Sequence, residues 1–185
     1  MAIKTEQIVC RFVGDFKVGD NIVLNAEVLC KLSKLNEGGI FNKLLLIQAG
    51  SIMEAALFEI IYRTQNFHRE GVPEISEEDR VAISKKEIER FKAAIDVMRK
   101  YHLLDGAGID VYDELERLRK YRNRVHIQND TEVEDAPREE NRAFNDKVTF
   151  WALNFNVRIL KYLNERYPRP EALQRYAHEI FVPSP

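Results

Sequence analysis

Apolar positions along this chain recur mostly at helical spacing. From Asp20, read as an N-cap, Ile22, Leu24, Val28, Leu29, Leu32 and Leu35 predict a first helix that ends near Asn36-Glu37-Gly38-Gly39. A second helix is predicted from about Phe41 to Thr64. It is apolar almost all round (Leu44, Leu45, Leu46, Ile47, Ile52, Met53, Leu57, Ile60 and Ile61), and a helix without a polar face belongs at the centre of a core. Within it, Ala49-Gly50-Ser51 would let a neighbouring backbone come close. Glu54 is the odd member. A buried carboxylate needs a partner, so the plain expectation is that Glu54 pairs with an arginine of another helix, the alternative being a chemical role.

The rest of the chain continues the helical pattern. Gln65 to Asp79, with Pro73, reads as a polar connection. Ser84 and Glu87 then have capping-box spacing, with Ile83 and Ile88 as a hydrophobic staple. They predict a third helix through Ile88, Phe91, Ile95 and Met98 to about Leu104, ended by Asp105-Gly106-Ala107-Gly108. Asp110 caps the predicted fourth helix, with Asp113 and Glu114 where carboxylates suit the helix dipole. Asn129 to Pro137 is acidic and turn-rich. Pro137 fits the opening turn of a fifth helix carrying Phe144, Val148, Trp151, Phe155, Ile159, Tyr162 and Leu163, which Pro168 and Pro170 stop. Residues 1–19 fit no helix: Ile8 to Val13 is a short strand or an arm laid over a neighbour. The tail, residues 169–185, is expected to add a short helix and then an extended end. With no strand pattern of any length, the expected fold is all-α, a bundle of four to five long helices.

Composition narrows this picture only a little. At 185 residues the chain suits one domain, 1–185, with a sizeable core. A net charge of -2 argues against a protein that coats nucleic acid indiscriminately; any RNA contact would be local. Cys10 and Cys30 are far apart, no secretory signal precedes them, and reduced thiols in a cytoplasm are expected. The run from Leu44 to Ile61 contains Gln48, Glu54 and Glu59, so it reads as a buried helix and not a membrane span. His68, His102 and His178 lack metal-ligand spacing, and there is no phosphate loop or nucleophile elbow; no cofactor or metal is expected. The aromatics of the fifth helix read as core.

Candidate chemistry concentrates in Leu115 to Gln128. Five of these residues are basic (Arg117, Arg119, Lys120, Arg122 and Arg124) and only Glu116 is acidic. At about 100° per residue, Leu115, Leu118, Tyr121 and Val125 share one face. Arg122, His126, Arg119 and Asn123 follow along its edge, while Arg117, Lys120 and Arg124 point towards water. Cleaving RNA without a metal needs a base for the ribose 2′-OH, a cation for the phosphorane-like charge and an acid for the leaving oxygen. Histidine suits the proton transfers and the planar arginine fork suits the phosphate. The bland alternative is that these side chains make salt bridges or caps.

The element order and the stretch Leu118-Arg119-Lys120-Tyr121-Arg122-Asn123-Arg124-Val125-His126-Ile127 resemble the HEPN (higher eukaryotes and prokaryotes nucleotide-binding) superfamily. Its hallmark is Arg, a polar residue that is often Asn, a short spacer and His on a late helix. Ala49-Gly50-Ser51-Ile52-Met53-Glu54-Ala55-Ala56-Leu57 is similar to the family's small-residue, Glu-containing helix. The resemblance covers roughly Leu24 to Tyr167. The usual spacer has at least four residues; Arg122 to His126 leaves three, and Arg119 to His126 leaves six but is followed by Lys120. What the resemblance implies is a cytoplasmic homodimer that binds RNA or cuts it as a metal-independent endoribonuclease of toxin–antitoxin or phage-defence type. His126 would handle the proton, Arg122 or Arg119 the phosphate, and Asn123 the orientation. The competing expectation is a non-catalytic module that dimerises or docks a partner, such as a nucleotidyltransferase-like antitoxin.

Overall fold

A computed structural model describes residues 3–14, 17–66, 75–126 and 137–185. His68, Pro73, Ile127, Gln128 and the acidic stretch from Asn129 to Ala136 lie outside the described residues. In chain order the elements are β1 (Lys4–Gly14), α1 (Lys17–Lys34), α2 (Asn42–Asn66), α3 (Glu77–Ser84), α4 (Phe91–Lys100), α5 (Val111–Asn123), α6 (Glu140–Ala143), α7 (Asp146–Arg166) and β2 (Ala177–Ser184), with short 3-10 turns between some of them.

The fold is mostly helical but not all-α. β1 and β2 pair antiparallel, with Lys4 opposite Ser184 and Ile8 opposite Ile180, and this two-stranded sheet packs against α1 and α7. Ile8, Cys10 and Phe12 are buried, while Val9 and Arg11 face out. That alternation is the signature of a half-buried strand. The nearly continuous apolar run Ile8-Val9-Cys10 conceals it. The second strand contains Pro183 and runs antiparallel at the far end of the chain, so neither strand advertises its partner locally.

The apolar second helix stands where its pattern puts it. α2 packs against α1, α3, α4, α5 and α7, and Leu45, Leu46, Met53, Leu57 and Ile60 have no exposure. Leu44 is the exception at 47% exposed. By length and composition α2 is apolar enough to cross a membrane, yet 61% of its most apolar window is buried inside the protein. A core helix has this profile. Two small-residue positions explain how neighbours reach it. Asn156 of α7 donates from Nδ2 to the Ala49 carbonyl at 2.7 Å, and α5 crosses directly over Gly50.

Several helix boundaries differ from those the sequence predicts. α1 starts at Lys17, so Asp20 lies in its first turn with its carboxylate 3.5 Å from His178 Nε2. Ser84 is the last residue of α3 and not a cap; the side chain that caps is Ser76, whose Oγ accepts from the Asp79 N–H at 3.0 Å. Both serines have an acid three residues on, but only Ser76 is followed by an uninterrupted helical turn. α4 begins later, at Phe91, and ends at Lys100, where His102 turns the chain at φ 55°. Asp110 occupies the N-cap position of α5 without a side-chain cap bond. The fifth predicted helix is split: α6 is one turn, and α7 starts after Asn145, whose Oδ1 accepts from the Val148 N–H; Pro137 precedes both.

Candidate functional site

The basic stretch forms the second half of α5, but the helix stops before the stretch does. The last turn tightens, with the Arg124 N–H donating to the Tyr121 carbonyl at 3.0 Å and the Val125 N–H to the Arg122 carbonyl at 3.3 Å. Arg124 supplies the reason. Instead of pointing to water it is 3% exposed, lies over the Phe144 ring at 5.6 Å, and donates to the carbonyls of Pro137 and Arg138. That inward turn ties the end of α5 to the approach of α6. Tyr121 reinforces it, edge-on to Phe144 with ring centroids 5.8 Å apart.

The four candidate residues therefore do not share one helical edge. Arg119, Arg122 and Asn123 are on α5, and His126 lies beyond its end, exposed, with no hydrogen bond or ion pair among the described residues. Arg122 runs its aliphatic stem across Gly50. Its Nη2 then donates to Glu54 Oε2 at 2.5 Å, one helical turn further along α2, and Nη1 reaches Asn123 Oδ1 at 3.4 Å. Glu54, half-buried, is thus paired with an arginine of another helix. Arg119 turns back along its own helix, donating from Nε to Glu116 Oε2 at 2.8 Å.

Glu116 collects two cations. Lys92 of α4 places its Nζ 2.6 Å from the other carboxylate oxygen. Burial pushes the Glu116 carboxyl up, but the hydrogen bonds from Lys92 and Arg119 outweigh it and hold the group below its ordinary value. On the other side of α5, Arg117 lies over the Trp151 ring at 4.4 Å, and the Trp151 indole N–H donates to Glu114 at 3.0 Å. Most of the basic stretch is accordingly engaged in joining helices.

No family model, curated protein or solved structure matches this chain.

Other candidate groups are quickly placed. Among the described residues, no three His, Cys, Asp or Glu side chains gather as a metal-binding group. His102 is exposed, its Nδ1 2.9 Å from Asp105 Oδ2. Cys10 and Cys30 are free and buried; burial pushes the Cys10 thiol up to about 12, and Cys30 donates to the Phe181 carbonyl at 3.2 Å. A second charged cluster is absent from the sequence reading. Arg63 is fully buried and donates to the Tyr167 carbonyl at 2.8 Å, while Arg169 Nη2 donates to Glu59 at 2.7 Å. The signal available for it is the presence of Glu59 and Arg63 in an otherwise apolar helix, since buried charges come paired.

Proposed function

We propose that the chain is a HEPN-like helical module that works as a homodimer, and that the end of α5 is a docking surface in a cytoplasmic assembly. On this reading α1, α2, α4, α5 and α7 make up the family's bundle of four to five long helices. The observation that carries the proposal is the Arg122–Glu54 pair over Gly50. A guanidinium committed to a carboxylate of its own chain is a strut between helices. Withdrawing it to grip a phosphate would leave Glu54 desolvated and unpaired. Arg119 is held in the same way by Glu116. What α5 leaves exposed at its end is Val125, at 47%, beside the His126 imidazole. An apolar side chain next to a hydrogen-bonding ring suits a second copy or a protein partner, such as a nucleotidyltransferase-like antitoxin.

A metal-independent ribonuclease is the second reading, and one separate observation favours it. His126 is at the surface and unengaged among the described residues, which is what a general base requires. In a homodimer it would work with Arg122 or Arg119, and with Asn123, across the two-fold axis.

One experiment separates the two: incubation of RNA with wild type and His126→Ala in EDTA, alongside sedimentation of the wild type and Val125→Asp. The docking reading expects intact RNA and a dimer that Val125→Asp weakens. Cleavage that resists EDTA, spares a DNA copy and is lost in His126→Ala at an unchanged thermal midpoint would establish the ribonuclease instead. A wild-type monomer at micromolar concentration would sink the dimer in either case.

A further inference from the structure

A cavity of about 460 Å³ opens where the start of α1, the second half of α2 and the stretch between α3 and α4 meet. Val18, Phe58, Ile61 and Ile88 supply its apolar walls. At its floor Glu59 and Arg169 form an ion pair, with side chains only 7% and 4% exposed. Their charges compensate each other, so the floor adds no net charge. Among the described residues, Lys17, exposed at the rim, is a cation facing the opening. The wall is held in place from behind: Gln65 donates from Nε2 to the carbonyls of Ile83 and Lys86, fixing the chain that carries Ile88.

This hollow differs from the packing around it. Phe12, Leu57 and Ile60 close the neighbouring core completely. Folds normally collapse apolar voids because an unfilled one costs stability. An apolar hollow of this size that reaches solvent, with a lysine at its mouth, matches the general form of small-molecule sites, which occupy about 300–1,000 Å³. It also adjoins the face of α2 that carries Glu54. Phe58 and Tyr62 follow Glu54 at four-residue steps, so they share one face of α2, about 6 Å apart along the axis at each step.

We propose that this cavity binds a small amphiphilic acid, its apolar body between Phe58, Ile61 and Ile88 and its carboxylate against Lys17. The inference stands independently of what α5 does. Compensation of Glu59 by Arg169 lets an apolar group approach the floor, and the lysine at the rim selects the sign of the head group.

The test is calorimetric titration of the full chain with octanoate, octanol and octylamine. Octanoate is expected to bind saturably and one to one, and more tightly than octylamine. Lys17→Glu, a surface change, should weaken octanoate by about three- to fivefold, as for an exposed ion contact, and reverse the preference over octylamine. Ile88→Trp should fill the hollow and abolish binding of all three probes while circular dichroism stays helical. If that variant fails to fold, the Lys17→Glu preference decides alone. No saturable octanoate binding, or an acid–amine preference that Lys17→Glu leaves untouched, overturns the proposal. So does displacement of octanoate by adenosine monophosphate, which would make the occupant a nucleotide.

Discussion

Replacing Gly50 with alanine would place a methyl group where α5 already sits. An ideal Cβ at that position lies 2.9 Å from Arg122 Cβ, 3.1 Å from its Cγ and 3.8 Å from Leu118 Cγ. Carbon pairs prefer about 3.5–4.0 Å, so the nearest contact is well inside the repulsive wall. Arg122 Cβ is fixed to the α5 backbone and cannot swing aside as a side-chain tip could; relief requires the two helices to separate. Overpacking of this kind costs about 1–3 kcal/mol. Against it, alanine gains about 0.5–1 kcal/mol over glycine inside a helix. The net expectation is a loss of between about 0 and 2.5 kcal/mol, centred on roughly 1 kcal/mol, with Gly50→Leu losing more. Urea unfolding of both variants beside the wild type reads this directly, as a shift of midpoint at constant slope. If Gly50→Ala is more stable than the wild type, the propensity gain has met no opposition. Then α5 does not cross α2 at this point, and the Arg122–Glu54 strut built on that crossing falls with it.

Three further outcomes are expected. Leu57→Ala, at a side chain with no exposure beneath several helices, should cost about 2–5 kcal/mol by thermal or urea unfolding; a cost under about 1 kcal/mol would contradict its central position. Glu116 is held below its ordinary value in the folded state, so its contribution is present above the unfolded carboxyl range and is lost as pH falls through the folded value. Glu116→Gln should therefore flatten the acid limb of the stability profile, and an unchanged limb would refute the Lys92–Glu116–Arg119 network. Cys10, raised to about 12 by burial, stays a neutral thiol at neutral pH; a thiol reagent such as DTNB should modify it only at the rate of unfolding, and immediate reaction in native buffer would place it elsewhere.

Central packing was legible because it rests on local pattern. α2 has no polar face, so its place in the core follows from its own residues. Gly50 marked a close approach and Glu54 an arginine partner before either neighbour could be identified, because both are exceptions in an apolar helix. Interactions between distant segments were less legible. The β1–β2 pairing depends on residues at opposite ends of the sequence, and neither strand carries a local signal of its partner. Arg124 looks solvated on a helical wheel; only Phe144 and the carbonyls of Pro137 and Arg138 turn it inward, and that turn ends α5 before His126. The capping box at Ser84 and Glu87 shows how a short motif misleads when a second serine, Ser76, meets the same rule one helix earlier.

The sheet that joins the two ends also sets an order of events during synthesis. Ile8 pairs with Ile180, 172 residues later, and the crossing contacts can form only after that last strand has left the ribosome. At about 5–20 residues per second, β1 therefore waits roughly 9–34 s for its partner, while the local pairing of α1 with α2 is already available. Through that interval the ladder edge and the Ile8, Cys10 and Phe12 face are uncovered, in the conformation most prone to pair with another nascent chain. α7, the helix that β1 packs against, is itself complete only at Arg166, so for most of that interval β1 has neither of its main neighbours.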